Sequence, residues 1–501
     1  MGLASKGGGE DRNPVRRHLV GLVKNPGIRM VRDLLLLSLG QVGAQVLGFA
    51  TFAWLARALG PTGYGTLEYV LALAAFTAAF VDFGIGAIAV RAHAREPGAL
   101  ARFAAIVPVL RLLIGLLTVP AMIGFVFLVA PGGPDGEAAR VLVLLFGAAV
   151  LMQAWRQEWL LQATERMDRA AMAQILRTGS FAALVFLLVA GPQDLILVGA
   201  IEVASVALWI GFYLWSQVRA GISLRLSAPR AELGRLLREA GPLGANAVLW
   251  GVTLYLPQIL LGSLAGLEEA AWFAAAQRLV ASLLAFTYLY HFNLYPAMAR
   301  RFAKGTAAMV ELSGASMSVL AWALFTPAML TSVYAADLTA LLFGAPFAAS
   351  GPALAILIWS VPVHFLSGHA RWGLTAAGQN GAVLVSALAG VAVFALAGPV
   401  LVGAFGAAGA AATVTAQVLA IWAGADLMAR RHGIALPFLA VVPLPLAAAA
   451  LSGGVAVAIF PHSPLVGMPA GLAVAAVLGL VLDRRLLPNL RRLAYAKHDQ
   501  P

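Results

Sequence analysis

The chain of 501 residues has no cysteine and little charge. Without cysteine no disulfide framework and no thiolate metal site can form, and thiols give no indication of the redox compartment. The eight histidines show no HExxH-type spacing, so the sequence predicts no metal site. Only 11% of the residues are charged, 61% are hydrophobic and the mean hydropathy is +0.87. Soluble domains are far more polar, so this composition predicts a membrane protein.

Long uncharged runs recur along the chain, the first from Leu34 to Leu55. At about 1.5 Å per helical residue this run reaches roughly 33 Å, enough to cross the hydrocarbon core. We predict an all-α polytopic membrane protein with about fourteen transmembrane helices. Breaks at charges, Pro and Gly give spans at 34–55, 67–90, 103–130, 141–163, 171–190, 195–217, 241–263, 271–295, 312–334, 352–376, 382–402, 407–428, 436–460 and 464–482.

Lysine and arginine are dense in every second loop and in both tails. The intervening loops hold little beyond Arg57, Arg140 and Arg278, with acids such as Glu268 and Asp337. By the positive-inside rule both termini lie in the cytoplasm, and the number of spans is even. Because the formal charge of +12 is spread over short loops and tails, it does not indicate a nucleic-acid partner.

The loops are too short to fold as a catalytic domain. The longest, Val218 to Glu239, would make little more than one amphipathic helix. We therefore predict that the protein is not an enzyme and that its function resides within the bilayer.

A weak internal repeat relates the two halves of the chain. Aligning LGPTGYGTL from Leu59 with AGLEEAAWF from Ala265 places Gly60 on Gly266, an offset of 206 residues that also carries the first span onto the seventh. This predicts two six-helix bundles related by a parallel pseudo-repeat, plus two C-terminal helices. The predicted parts are a basic cytoplasmic N-terminal tail at 1–33, an N-lobe at 34–217, a cytoplasmic linker at 218–240, a C-lobe at 241–430, extra helices at 431–482 and a basic cytoplasmic tail at 483–501.

Polar residues recur on one face of two predicted spans. Gln41 and Gln45 share a face of the first span with Ser38, and Asn246 begins a similar face on the seventh with Trp250 and Thr253. Such faces avoid lipid, and they either pack against other helices or line a cavity.

Charged groups at membrane depth cost roughly 2.5 to 3.5 kcal/mol each at mid-span and therefore carry information. They are Asp82 on the second span, Arg111 on the third, Glu202 on the sixth, Arg278 on the eighth, and His364 with Arg371 on one face of the tenth. Arg57 and Arg111 either snorkel to the headgroups or bind a ligand. Asp82 either caps or pairs locally or serves a site, and His364 either packs or serves a site. Arg278 and Arg371, beside Gln277 and Thr375, are predicted to face an interior cavity.

Two further groups are predicted to lie outside any site. Arg156 and Glu158 are typical of a solvated, charged cytoplasmic surface. The tyrosines at 288, 290 and 295, with His291, are typical of an interfacial aromatic belt.

LARALGPTGYGTLEYVLAL followed by VDFGIGAIAVR resembles the opening of the polysaccharide (O-antigen and exopolysaccharide) flippases of the multidrug/oligosaccharidyl-lipid/polysaccharide exporter superfamily. LPQILLGSLAGLEEAAWFAAAQRL resembles the start of their second half, and GPVLVGAFGAAGAAATVTAQ their eleventh-to-twelfth connection. The likeness covers most of the chain. It departs at 256–258, where the family usually carries an acidic-arginine pair, and at 271–273, where the family usually has Gly-x-Tyr.

The resemblance implies alternating access, through a cavity between two bundles, for a polyprenyl-diphosphate-linked oligosaccharide in the bacterial cytoplasmic membrane. The substrate-binding candidates are Arg57, Arg91, Arg111, Arg278, Arg371, Gln41, Gln45 and Asn246. The arginines would lower the desolvation cost of the diphosphate. Asp82, Glu202 and His364 are candidates for H⁺ or Na⁺ coupling, with no other cofactor implied. Membrane lipids, a polysaccharide polymerase and glycosyltransferases are the expected partners.

Several rival functions remain open. A lipid II flippase has the same chemistry with another glycan. A multidrug or organic-cation antiporter of the same superfamily would need acidic rather than basic cavity residues. A glycan polymerase or ligase would need a substantial outer loop, and a scaffold or receptor would not need charges at mid-span.

Overall fold

The computed structural model describes residues 26–96, 98–129, 133–227 and 229–495, of which 26–42, 44, 134 and 492–495 are described by their backbone alone. The first helices are α1 (Pro26–Asp82), α2 (Ile85–Arg95), α3 (Ala99–Val129), α4 (Pro134–Met152), α5 (Glu158–Ala163), α6 (Met167–Leu188), α7 (Leu195–Arg219), α8 (Arg230–Leu264) and α9 (Leu267–Ala303). They are followed by α10 (Thr306–Val333), α11 (Ala335–Phe343), α12 (Gly351–Leu357), α13 (Ser360–Ala376), α14 (Asn380–Arg431), α15 (Phe438–Val441), α16 (Pro443–Ile459), α17 (Pro464–Leu482) and α18 (Leu486–Tyr495).

All regular secondary structure in the described part of the chain is helical, which confirms the predicted all-α polytopic class. It contains 12 helical stretches long and apolar enough to cross a membrane. Two of the helices that supply them are far longer than one crossing requires: α1 has 57 residues with a non-helical Gly60, and α14 has 52 with a non-helical Gly406. The number fourteen stays a prediction, as do the lobe boundaries. The predicted tail at 1–33 lies mostly outside the described residues.

The two glycines that the repeat aligns have matching backbones. Gly60 has φ 70° and ψ 176°, and Gly266 has φ 106° and ψ 168°. L-residues rarely adopt such positive φ values, so glycine allows the chain to turn between helices at both positions. Thr62 Oγ1 also donates to Glu268 Oε1 at 3.0 Å, and these residues are themselves 206 positions apart. Equivalent positions of the two halves therefore meet at this turn, as expected beside an axis of pseudo-symmetry.

The two halves share one apolar core at the end that carries Gly60 and Gly266, named the outer end after the predicted orientation. Tyr64 and Leu67 are buried here with Phe343 and Phe347, and the Tyr64 and Phe347 rings are 5.8 Å apart, edge to face. At the inner end the cores are separate. One core contains Ile85, Trp159 and Trp209, and another contains Met298, Met309 and Leu436.

Two spans predicted as continuous are interrupted near their inner ends. The predicted span 67–90 breaks at Phe83 and Gly84, whose φ values are 42° and 67°. The break brings Gly84 so close to Leu243 that a Cβ on the glycine would lie 2.7 Å from the leucine Cβ. The predicted span 141–163 ends its regular helix at Met152, continues as a 3₁₀ turn and is extended at Arg156. Asp82 and Arg156 lie at these breaks, which orient their side chains.

Candidate functional site

Asp82 lies at the inner end of the N-terminal half with two arginines, Arg111 of α3 and Arg156 from the break between α4 and α5. Arg111 Nη2 and Arg156 Nη2 lie 2.5 and 3.1 Å from Asp82 Oδ1. Arg111 Nη1 also donates to the Arg156 carbonyl oxygen at 2.5 Å, and Arg111 is only 3% exposed. Arg111 therefore does not snorkel to headgroups in this structure, and Asp82 has long-range rather than local partners. The prediction that Arg156 is a solvated surface residue is wrong, because its side chain is 26% exposed and lies in this cluster.

Glu202 is held by an arginine on the neighbouring helix. Arg177 Nη2 lies 2.6 and 2.7 Å from the two carboxylate oxygens, and the guanidinium carbon lies 5.6 Å from the centre of the Phe181 ring. Because the glutamate side chain is 9% exposed, its charge is compensated by the arginine rather than by bulk water.

A cavity of about 420 Å³ lies among α1, α4, α7 and α8. Asp82, Arg156 and Glu202 line it together with Gln153 and Trp250. Each acid on its wall already has an arginine partner, so this cavity offers no uncompensated negative charge among its described residues. We call it the N-lobe cavity.

Arg278 joins the two halves near the outer end. Its Nη2 and Nε atoms donate to Glu68 Oε1 at 2.8 and 3.2 Å, and its guanidinium carbon lies 3.5 Å from the centre of the Phe52 ring. The contact is both an ion pair and a cation–π interaction. Contrary to the predicted cavity-facing orientation, the guanidinium is directed at a carboxylate between the halves.

Arg57 makes a second link at the outer end. Its Nη2 and Nε atoms donate to the carbonyl oxygens of Leu341 and Leu342 at 2.5 and 3.0 Å. These carbonyls belong to the last turn of α11, where the helix dipole favours a cation. In this structure Arg57 therefore caps a helix of the other half.

A second cavity, of about 270 Å³, brings three of the predicted residues together. Asn246 from α8 and His364 and Arg371 from α13 line it, with Ser367 and Trp250 nearby. His364 Nδ1 lies 2.9 Å from the Ser360 carbonyl oxygen, which leaves Nε2 for other contacts. We call this the C-lobe cavity. Trp250, which is 49% exposed, lines both cavities.

Arg371 differs from Arg111, Arg177 and Arg278 because it has no carboxylate partner among the described residues. Its Nε atom is buried without a hydrogen-bond partner, and no described carboxylate lies within ion-pairing distance of its guanidinium group. An unpaired guanidinium on a partly apolar wall is poorly solvated. An anion bound there would have its charge compensated and would accept hydrogen bonds from the guanidinium.

Two of the remaining predicted residues, Arg91 and Gln45, do not line either cavity. Arg91 is exposed on α2, and Gln45 is partly buried on α1. The side chain of Gln41 lies outside the described residues.

The predicted aromatic belt is wrong for two of its members. His291 is 1% exposed, and the Tyr290 hydroxyl bonds Ser316 Oγ, which lies 2.7 Å from His369 Nε2. Tyr290, Ser316 and His369 thus form a polar chain between α9, α10 and α13, and His291 is buried beside it. Tyr288 is 66% exposed, as expected for a belt residue.

A sequence profile of the polysaccharide biosynthesis protein family matches residues 30–302, more than half of the chain. The chain belongs to this family. The family resemblance predicted from the opening motif is thereby confirmed, although comparison with curated proteins gives no sequence match.

The fold of this family member is shared with solved transporters. The lipid II flippase MurJ in an inward closed conformation superposes with a TM-score of 0.68 at 10% identity, over 90% of this chain and 100% of that chain. An inward-facing multidrug resistance MATE family transporter of the MOP superfamily gives 0.61 at 16% identity, over 78% and 94%. A MOP superfamily transporter from Pyrococcus furiosus gives 0.50 at 16% identity, over 79% and 95%. At these identities the likeness establishes the fold.

Sequence reasoning missed three partners in this family member: Glu68, Arg156 and Arg177. Glu68 lies within the opening motif and Arg177 lies inside the fifth predicted span. The available signal was charge balance, because an arginine buried in a membrane protein needs either a counter-charge or a wet cavity.

Proposed function

We propose that this protein is a flippase that moves a polyprenyl-diphosphate-linked oligosaccharide from the cytoplasmic to the outer leaflet by alternating access. It would act in the bacterial cytoplasmic membrane with both termini inside, alongside glycosyltransferases and a polysaccharide polymerase. Membership of the polysaccharide biosynthesis protein family supports the substrate class. The observation that carries the proposal is the unpaired Arg371 guanidinium in the C-lobe cavity.

The diphosphate is the part of the substrate that most needs compensation. Phosphate oxygens suit the planar guanidinium fork of Arg371, and Asn246 and Ser367 supply neutral hydrogen bonds nearby. His364 Nε2 can contribute another. The lipid tail remains in the bilayer, so the protein has only to replace water around the head group and the sugars.

The paired arginines have a different part in this proposal. Glu68–Arg278 and the Arg57 bonds close the outer end, and the substrate gains entry from the inner end, where the cores of the two halves are separate. When the outer end opens, Arg57 and Arg278 lose these partners and become available to the departing phosphate. Arg91 and Arg111 stay candidates for the inner approach, and Gln41 and Gln45 stay candidates for substrate binding.

The driving force has two candidate sources. Moving negative charge outward across an inside-negative potential is downhill by about 2.3 kcal/mol per charge per 100 mV. Alternatively, H⁺ or Na⁺ binding at Asp82, Glu202 or His364 drives the cycle. Binding a proton or a cation at either acid would weaken its arginine pair and so couple ion binding to helix packing.

Transport of a fluorescent polyprenyl-diphosphate oligosaccharide in proteoliposomes tests the proposal. Arg371→Ala should lower the flipping rate at least tenfold, and Arg371→Lys should retain part of it, because the charge is kept but the planar fork is lost. Arg300→Ala, which removes an exposed charge outside both cavities, is the matched control. Normal flipping by Arg371→Ala would refute the proposed site.

Lipid II is the second candidate substrate, favoured by the shared fold with the lipid II flippase MurJ. Running the same assay with lipid II separates the two, because the preferred substrate should show the lower half-saturating concentration. An organic-cation antiporter is disfavoured, because Asp82 and Glu202 are already matched by arginines while Arg371 is not.

A further inference from the structure

A third cavity, of about 600 Å³, lies away from the proposed substrate path, at the inner ends of α10 and the C-terminal helices. Its walls include Gly314 of α10, Ala440 and Leu444 of the α15–α16 segment, and Arg484 and Arg485 beyond α17. The segments pack closely here, because a Cβ on Gly314 would lie 3.0 Å from the Pro437 ring. The nearby polar contacts also hold the turn after α17: Trp322 Nε1 donates to Asp483 Oδ2 at 2.9 Å.

The charged residues that line the cavity are two acids, Glu311 and Asp483, and two arginines, Arg484 and Arg485. Neither the Arg484 nor the Arg485 guanidinium has an ion-pair or hydrogen-bond partner among the described residues, and both side chains are exposed. Asp483 is engaged by Trp322 and by the Arg485 backbone N–H, and Glu311 on the opposite wall has a polar partner of its own. Both acids thus have partners within the protein, whereas the two guanidinium groups are free to meet a ligand, and guanidinium groups favour an anion.

The remaining lining distinguishes a lipid from a soluble anion. Leu444 and Leu482 line the cavity and are 40% and 52% exposed, so apolar surface continues from the two arginines toward the membrane. The amphipathic α18 follows directly and packs against α10. An amphipathic basic helix at the end of a membrane span is suited to lie in the headgroup region. We infer that this cavity binds the phosphate head group of an anionic phospholipid of the inner leaflet, with its acyl chains along Leu444 and Leu482.

Native mass spectrometry of the full-length protein tests the inference, with phosphatidylglycerol and phosphatidylcholine as the probes. Phosphatidylglycerol should be retained in preference. Arg484→Ala with Arg485→Ala should weaken its binding by about fivefold per arginine. The matched double variant, Arg300→Ala with Arg491→Ala, removes the same charge from exposed positions that do not line the cavity, and its affinity should stay within about twofold of the parent.

Ala440→Trp tests for a shaped site without changing charge. Ala440 is exposed and lines the cavity, so the indole should fold into place, occupy the head-group space and weaken phosphatidylglycerol binding as well. Unchanged phosphatidylglycerol binding by Ala440→Trp, or an equal loss of binding in the control double variant, would show that the lipid is attracted by non-specific charge alone. Either result would overturn the inference. Equal retention of phosphatidylcholine would overturn it too. Displacement by glycerol phosphate as effective as by the lipid would assign the site to a soluble phosphate instead.

Discussion

Glu68 in the first half of the chain accepts two hydrogen bonds from Arg278 in the second half, at 2.8 and 3.2 Å, across a separation of 210 residues. The glutamate side chain is 9% exposed and the arginine side chain 30%. In the proposed transport cycle this pairing closes the outer end, so its loss should favour an outward-open state.

Glu68→Gln should raise exposure of the interface between the halves. The substitution leaves Arg278 without a counter-charge, so a state in which its guanidinium is hydrated becomes favoured by about 1 to 2 kcal/mol, roughly a fivefold to thirtyfold shift in population. Ser263 bonds Tyr69 across this interface at 3.3 Å, and the chain has no other cysteine to react with a maleimide. Maleimide labelling of Ser263→Cys should therefore be faster in the Glu68→Gln background. Glu137→Gln, at an exposed carboxylate, is the control, and equal labelling in both backgrounds would contradict the gate.

Trp250→Ala should impair recognition of the glycan rather than of the phosphate. The indole is half-exposed and lines both cavities, and a flat aromatic face packs well against sugar rings. We expect a threefold to tenfold weaker apparent affinity for the glycan-bearing lipid, about 0.5 to 1.5 kcal/mol, with most of it restored in Trp250→Phe. Binding of the polyprenyl diphosphate without sugars should be unchanged. Trp215→Ala, at an exposed tryptophan remote from both cavities, serves as the control; a loss shared by both lipids would exclude a glycan-specific role.

Arg111→Met should destabilise the fold. It leaves the Arg156 carbonyl oxygen without this donor and Asp82, which is 36% exposed, with one arginine in place of two, at a cost of about 1 to 3 kcal/mol. The thermal midpoint in detergent should fall by about 1 to 3 °C, since a chain of this length has a large unfolding entropy. In a double-mutant cycle, adding Asp82→Asn should cause little further loss, because both residues act in one cluster. Additive losses, or a midpoint equal to that of the exposed control Arg95→Met, would show that the cluster does not stabilise the protein.

Gly65→Ala should prevent the close contact between Gly65 and Leu267 at the outer end, whereas Gly211→Ala should leave it intact. A Cβ on Gly65 would lie 1.7 Å from the Leu267 carbonyl oxygen, whereas a Cβ on Gly211 meets nothing within 4 Å. Overpacking of this kind costs about 1 to 3 kcal/mol or more, while alanine in an open helical position gains up to about 1 kcal/mol. The thermal midpoint should therefore fall for Gly65→Ala and rise slightly for Gly211→Ala. A stable, fully closed Gly65→Ala variant would contradict the close approach of the halves at this turn.

The membrane class, the helical architecture and the family follow from the order of residues along the chain. The length of each apolar run indicates a helix that can cross the membrane. The segment LGPTGYG indicates a turn, because Gly60 adopts a positive φ that other residues avoid. The repeat offset could be found from the same turn, since Gly60 and Gly266 both adopt a positive φ that favours glycine.

Only the tertiary structure decided what each buried charge does. The sequence offered five arginines as substrate-binding candidates, yet Arg111 and Arg278 face carboxylates, Arg57 caps a distant helix and Arg91 is exposed. Arg371 alone among these five lines a cavity without a partner in the described chain. The reason is physical. The position of a helix and its apolar face depend on residues that are close in sequence. An ion pair, in contrast, forms here between side chains up to 210 positions apart. Which carboxylate an arginine meets therefore depends on helix packing and on breaks such as that at Phe83–Gly84.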